Sequence, residues 1–229
     1  MYKIYIKRLI DIILSLLALI ILSPIILIIT VLVRVKLGSP VLFKQQRPGL
    51  NELIFTMYKF RTMTNEKDKN GNLLPDHIRL TKFGRFLRST SLDELPELFN
   101  IIKGDMSIVG PRPQLVRDMV FMSNNQRQRH SVKPGLTGWA QINGRNNLSW
   151  ENKLNLDLDY ISQISFSMDI KIIFLTLLKV FKKEDVNTEG MDTAEDLGDY
   201  LLRIGKIDST EYEQKMNQSQ ILLGNKKVG

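Results

Sequence analysis

The chain has 229 residues, a formal net charge of +8 and no cysteine, which fits one domain with an anchor and an appendage and excludes disulfides and thiolate metal sites. Only His77 and His130 occur, with no metal-ligand pairing, so any metal would rest on carboxylates, the donors of a hard ion such as Mg²⁺. A basic balance suits nucleic acid, anionic lipid or phosphorylated substrates; no nucleic acid is expected, because the basic residues form no stripe interleaved with stacking aromatics.

Residues 9–33 are almost wholly apolar, with Lys3, Lys7 and Arg8 before them and Arg34 and Lys36 after. A helix of about 25 residues at ~1.5 Å each is roughly 37 Å long, enough for a hydrocarbon core of ~30 Å. Ser23-Pro24 lies inside the run. Pro24 removes an intrahelical donor and predicts a kink, and Ser23 is placed to bond a freed carbonyl. Lys and Arg collect on cytoplasmic flanks, yet this run is basic at both ends. A re-entrant helix over residues 1–37, broken at Ser23-Pro24, brings both ends to one face; an ordinary span with a tolerated proline is the alternative. The run is long for a cleaved signal peptide, and Ser39-Pro40-Val41 offers no small-x-small pattern.

Val41–Gln46 and Leu53–Phe60 read as strands of a hairpin turned at Arg47-Pro48-Gly49-Leu50-Asn51. Thr64–Asp76 is polar and reads as a mobile loop. Thr81–Arg88 predicts a short basic amphipathic helix. Ser91-Leu92-Asp93-Glu94 matches a capping box that opens a helix through Ile102, with Gly104 as its stop. Gly110-Pro111-Arg112-Pro113 predicts a stiff loop, Gln114–Arg129 a helix, and Lys133–Gly144 a Gly-rich loop carrying Trp139. Phe166–Lys183 fits a helix lying in the membrane interface, or a buried core helix. From Glu184 the composition turns acidic and polar, and residues 194–207 and 209–223 predict a helical hairpin after a linker. The fold class is therefore α+β, mainly helical, with a catalytic domain over 38–183 and a separate tail over 184–229.

Asp93-Glu94 is the focus of the chemistry. Capping and the helix dipole account for the pair locally. It also lies among Arg85, Arg88, Lys103 and Arg112 in sequence. An Arg held between prolines can clamp phosphate with two parallel bonds. Carboxylates amid phosphate-binding cations point to phosphoryl transfer with a metal, in which positioning and charge neutralisation dominate. A carboxylate can itself attack and form an acyl phosphate.

Five runs in order carry a resemblance: Lys59–Met63, Leu80–Arg85, Ser91–Pro96, Gly104–Pro113 and Lys133–Gln141. Through them the chain resembles the bacterial sugar transferases, the monotopic polyprenyl-phosphate phosphoglycosyl transferases, from about Lys7 to Phe181. The resemblance implies transfer of a sugar-1-phosphate from a UDP-sugar to polyprenyl phosphate, such as undecaprenyl phosphate, with release of UMP. It implies that Asp93 attacks, that Glu94 assists, and that both meet Mg²⁺. It further implies that Lys59, Arg88, Arg112 and Arg145 hold phosphates, that Asp157 lies near the substrate, and that Ser23-Pro24 is the membrane break. Membrane lipids would be partners, and the place would be the bacterial inner membrane with the catalytic domain on its cytoplasmic face. Surface or headgroup roles stay open for Lys59, Arg88 and Arg145, and a solvated helix face for Asp157. Glu97 and Asp159 depart from the family pattern, in which Gln and a bulky apolar residue are frequent. Two other readings remain: a glycosyl transferase releasing UDP, and a non-catalytic membrane assembly protein. The tail could mediate a homo-oligomer.

Overall fold

The computed structural model describes residues 2–144, 148–182 and 195–224. A short π-helical turn, Tyr2–Ile6, leads into α1, Lys7–Leu37. Along α1 one stripe is buried at Asp11, Ser15, Ile29, Val33 and Leu37, with Ala18, Leu19 and Ile26 packed between. Steps of three and four residues keep such positions on one helix face. The other face is apolar and exposed at Leu9, Leu17, Ile20, Ile28 and Val35.

Helical structure continues through Ser23-Pro24. Ser23 Oγ donates to the Ile20 carbonyl at 2.8 Å, the acceptor left without a partner by the missing Pro24 N–H. The helix thus runs on past the expected break, with the Ser23 hydroxyl taking up the carbonyl that Pro24 cannot bond.

β1, Leu42–Pro48, and β2, Ile54–Phe60, form the expected hairpin, antiparallel from Leu42 opposite Phe60 to Pro48 opposite Ile54. Phe55 and Met57 point into a core with Leu98, Ile101 and Met106. The 64–76 segment contains a small bridged turn, Lys67 opposite Leu73, and leads to α2, Asp76–Arg79. α3, Lys82–Ser89, is capped by Thr81, whose hydroxyl accepts from Gly84 N at 3.0 Å. A Cβ on Gly84 would sit 1.8 Å from the Thr62 carbonyl oxygen, so glycine is what lets α3 close on the end of the hairpin.

α4, Glu97–Lys103, ends at Gly104 with φ +99°, as a left-handed C-terminal cap requires. β3, Ser107–Val109, follows, then α5, Val116–Met119, and α6, Asn124–Arg127. The single helix expected over Gln114–Arg129 is thus divided. Val120, Phe121 and Met122 are all buried in succession, which a one-sided surface helix cannot do, and Ser123 caps a new start through Gln126.

The expected 133–144 loop holds β4, Gly135–Thr137, and α7, Trp139–Ile142. β4 lies parallel to β3, Ser107 opposite Gly135 and Val109 opposite Thr137. The glycines that read as loop signals serve close backbone approach instead. A Cβ on Gly135 would meet Gly110 N at 2.1 Å.

α8, Trp150–Ser162, and α9, Phe166–Lys182, complete the core with Tyr160 and Ile172 against Val109 and Ile142. Phe166, Ile170, Phe174, Leu177 and Val180 on α9 are exposed. α10, Leu197–Arg203, and α11, Ser209–Gly224, form the tail hairpin. It does not stand apart: Leu197 packs with Val120, Phe121, Met122, Trp150 and Leu154.

Both ends of α1 are tied to this one body. Arg8 donates to the Ile101 and Ile102 carbonyls of α4 at 2.5 and 2.8 Å, and the Asp11 carboxylate accepts from Ile108 N at 3.0 Å. Lys7 Nζ lies 2.6 Å from Asp169, which also accepts from Tyr2 and Tyr160 at 2.6 and 2.7 Å. At the other end Ile29, Val33 and Leu37 pack on Phe60 and Leu87.

Candidate active site

Asp93 and Glu94 sit in a single 3₁₀ turn, Leu92–Glu94, ahead of α4. The capping box expected there does not form. Ser91 is left-handed at φ +55° and caps nothing with its side chain, and α4 begins only after Pro96. The Glu94 carboxylate is drawn elsewhere. Its Oε1 accepts from Lys59 Nζ at 2.7 Å and from Arg112 at 2.7 Å. Lys59, at the end of β2, reaches Glu97 as well, at 3.2 Å. Hairpin, turn and the Gly110–Pro113 loop therefore meet in one charge cluster.

Asn100 fixes the cluster from behind. It is fully buried, accepts from Tyr58 N at 3.1 Å and donates to the Thr56 carbonyl at 2.7 Å. Those bonds lock α4 to β2 one residue from Lys59. Arg88 lines the same cleft, and its Nε donates to Thr62 Oγ1 at 3.1 Å.

Asp93 is treated differently from its neighbour. It is 8% exposed, and its carboxylate has no hydrogen-bond or ion-pair partner among the described residues. Burial, and then repulsion from Glu94, push its pKa up to about 6 against the pull of Lys59, Arg88 and Arg112. Burial would raise Glu94 too, but Arg112 and Lys59 hold it well below the usual carboxylate range. Burial and Glu94 lift Glu97 to about 7 in spite of Lys59. Burial works against the Lys59 ammonium, yet Glu94 and Glu97 leave it above the ordinary lysine value. Glu94 likewise stabilises the Arg112 guanidinium. Two adjacent carboxylates thus have their acidities driven apart, a pattern found where chemistry is done.

The cluster opens into a cleft of about 940 Å³. Lys59, Arg88, Asp93, Glu94 and Arg112 all line it, so five of the sequence-derived site residues come together. Asp157 also borders it but is otherwise committed. It is 2% exposed and accepts from Arg129 Nε and Nη2 at 3.0 and 2.7 Å. The same Arg129 donates to the Arg112 carbonyl at 2.6 Å. Asp157 therefore acts through Arg129 on the loop that carries Arg112. Arg129 and Asn100 were missed from sequence, where neither has a telling spacing. Arg145 lies outside the described residues.

Among the described residues no three acidic or histidine side chains gather as a metal-ligand set. Mg²⁺ needs fewer, since one or two carboxylates with waters and substrate phosphates suffice. The Asp93 carboxylate and Glu94 Oε2, neither of which accepts a bond from a described residue, fit that requirement.

Residues 2–183 match the family described as bacterial sugar transferase. An uncharacterized sugar transferase, EpsL, of Bacillus subtilis (strain 168) is 53% identical over 82% of this chain and 94% of its own length. A UDP-glucose:undecaprenyl-phosphate glucose-1-phosphate transferase of Klebsiella pneumoniae is 45% identical over 76% of this chain. A UDP-N-acetylgalactosamine-undecaprenyl-phosphate N-acetylgalactosaminephosphotransferase of Aeromonas hydrophila is 34% identical, again over 76%. The chain spans only 40% and 43% of the length of these last two proteins.

Proposed function

The chain belongs to the bacterial sugar transferase family, and on that footing we propose that it is a membrane-associated phosphotransferase that moves a sugar-1-phosphate from a UDP-sugar to undecaprenyl or another polyprenyl phosphate. The observation that carries this reading is the buried Asp93, without a hydrogen-bond or ion-pair partner among the described residues, beside the Glu94–Arg112–Lys59 cluster in the lining of a cleft. An Asp93 oxygen bonds to the phosphorus that bears the sugar, and the bridging bond to UMP breaks, with UMP leaving. An oxygen of polyprenyl phosphate then attacks the same phosphorus and releases Asp93, giving the polyprenyl diphosphate sugar. Arg112 and Lys59 lie where the diphosphate charge would be met. Mg²⁺, held by Asp93 and Glu94 with the diphosphate, would neutralise charge that otherwise repels the attacking carboxylate. The names of the relatives cover both glucose and N-acetylgalactosamine.

The acceptor explains the anchor. Its phosphate lies at headgroup level, so Asp93 must be held close to the membrane surface. Contacts at both ends of α1 with one body support a helix that enters and leaves by the same face, and the basic residues at both of its flanks favour the cytoplasmic side of the bacterial inner membrane for the catalytic domain. The absence of native cysteine permits a clean test. Single Lys3→Cys and Lys36→Cys variants in sealed inverted vesicles are both expected to react with an impermeant maleimide. Protection of either one contradicts the topology.

Ionised Asp93 is the attacking form, so kcat/KM should rise with pH through about 6. Stability should run the other way over part of that range. Folded Asp93 and Glu97 retain protons that the unfolded chain releases near pH 4, so the stability they contribute is lost as pH rises from about 4 to about 7. Asp93→Asn should flatten part of that slope, as read by thermal melts across pH. The reaction itself is tested by supplying purified protein with UDP-sugars, Mg²⁺ and undecaprenyl phosphate. UMP is the expected product nucleotide, and UDP would replace this reading with transfer of the sugar alone.

A further inference from the structure

Residues 195–224 lie beyond the stretch that matches the family, yet the two residues that lead into α10 border the cleft. Glu195 and Asp196 border it together with Trp150, Lys153 and Asp118, on the same cavity as Asp93 and Arg112. Three kinds of contact fix them there. Trp150 Nε1 donates to the Glu195 carbonyl at 3.0 Å. The Asp196 carboxylate pairs with Arg117. Leu197 N donates to Asp118 Oδ1 at 3.0 Å.

Asp118 links this contact to the segment that follows the Arg112 loop. It is 2% exposed, and its second oxygen accepts from Leu115 N at 3.0 Å. Leu115 is three residues beyond Arg112. One buried carboxylate therefore ties the first residue of α10 to the segment that presents Arg112. The apolar cluster beneath α10 and α11 is drawn from Val120–Met122, Trp150 and Leu154 and includes no residue of α1. The tail thus attaches by a cluster separate from those that carry the membrane helix.

We propose that Glu195 and Asp196, held in place by the docked C-terminal helical pair, form a wall of the donor cleft and contribute to binding of the water-borne nucleotide sugar rather than of the polyprenyl phosphate. The proposal rests on the reaction proposed above. The choice of donor follows from placement: the lipid acceptor must come from the membrane side, where α1 lies, and the tail is packed elsewhere. Contacts to the part of a substrate remote from the reacting phosphorus change KM more than kcat.

Two measurements test it. In the unmodified chain, amide hydrogen exchange over Leu197–Arg203 should slow by about tenfold or more when a UDP-sugar saturates the site. Undecaprenyl phosphate in detergent should leave it unchanged. Equal exchange rates with and without UDP-sugar, or slowing by the lipid alone, would overturn the proposal. In Leu197→Asp a second carboxylate is placed against Asp118 inside an apolar cluster, which should undock the pair and expose Trp150 to solvent, seen as a red-shifted emission. Its donor KM should rise about tenfold with kcat within about threefold. A Trp150-exposed variant with wild-type donor KM would contradict the proposal. Release of UMP by the unmodified chain is read separately, so failure of the underlying reaction is distinguishable from failure of the tail to matter.

Discussion

Asp93→Asn is expected to lower turnover by about 10⁴-fold or more while leaving the thermal midpoint unchanged or raised. The two halves of that expectation come from the same geometry. If Asp93 supplies the oxygen that bonds to phosphorus, an amide in its place cannot attack, and catalysis loses its covalent route. The usual objection to such a variant is that a charged residue has been taken from a network. Here the charge has no partner to lose among the described residues. Burial and Glu94 already drive Asp93 toward its neutral form, so replacing it with a neutral isostere removes a strained charge rather than a bond. Loss of folding together with activity would mean that Asp93 is structural. Retained activity would mean that the reaction does not pass through it.

Asp157→Asn should behave in the opposite sense. Asp157 and Arg129 form an ion pair with side chains 3% and 1% exposed. Removing the anion leaves the guanidinium buried and uncompensated, a loss of about 3–5 kcal/mol. In a chain of this size that corresponds to a midpoint lower by about 10 °C. Activity should fall as a consequence, because Arg129 also holds the Arg112 carbonyl. Scanning calorimetry of Asp157→Asn beside Asp93→Asn separates the two roles. A donor-contacting Asp157, as the resemblance alone implies, would instead raise donor KM and leave the midpoint in place.

The contrast shows what the sequence could and could not disclose. The hairpin was legible because two apolar-rich runs flank a segment with turn chemistry, and Phe55 and Met57 do fill the core with Leu98, Ile101 and Met106. The long N-terminal helix was legible from length and hydropathy, and so was the rescue of the Ile20 carbonyl by Ser23, since both partners lie within one turn. The Asp93-Glu94 pair was visible because it lies in a recognisable run, Ser91–Pro96. Its electrostatics were not. Glu94 looked like a helix cap, and only the fold brings Lys59, 35 residues upstream, and Arg112, 18 residues downstream, onto one of its oxygens. The split of residues 114–129 was hidden for a related reason. Val120–Met122 pack against residues of α10 and α11, far along the chain, and no local period reports a partner at that distance. The acidic tail likewise read as a detached appendage because the residues that receive it belong to other elements.

The account turns on a bond between Asp93 and phosphorus. Intact-mass and peptide mass spectrometry of the purified protein, incubated with UDP-sugar and Mg²⁺ but without polyprenyl phosphate and quenched rapidly, tests it most directly. The result expected is a mass increase equal to one phosphosugar, placed on the peptide containing Asp93, accompanied by a matching quantity of UMP and absent from Asp93→Asn. Release of UMP on adding the lipid, with no adduct at any time of sampling under single-turnover conditions, would contradict it.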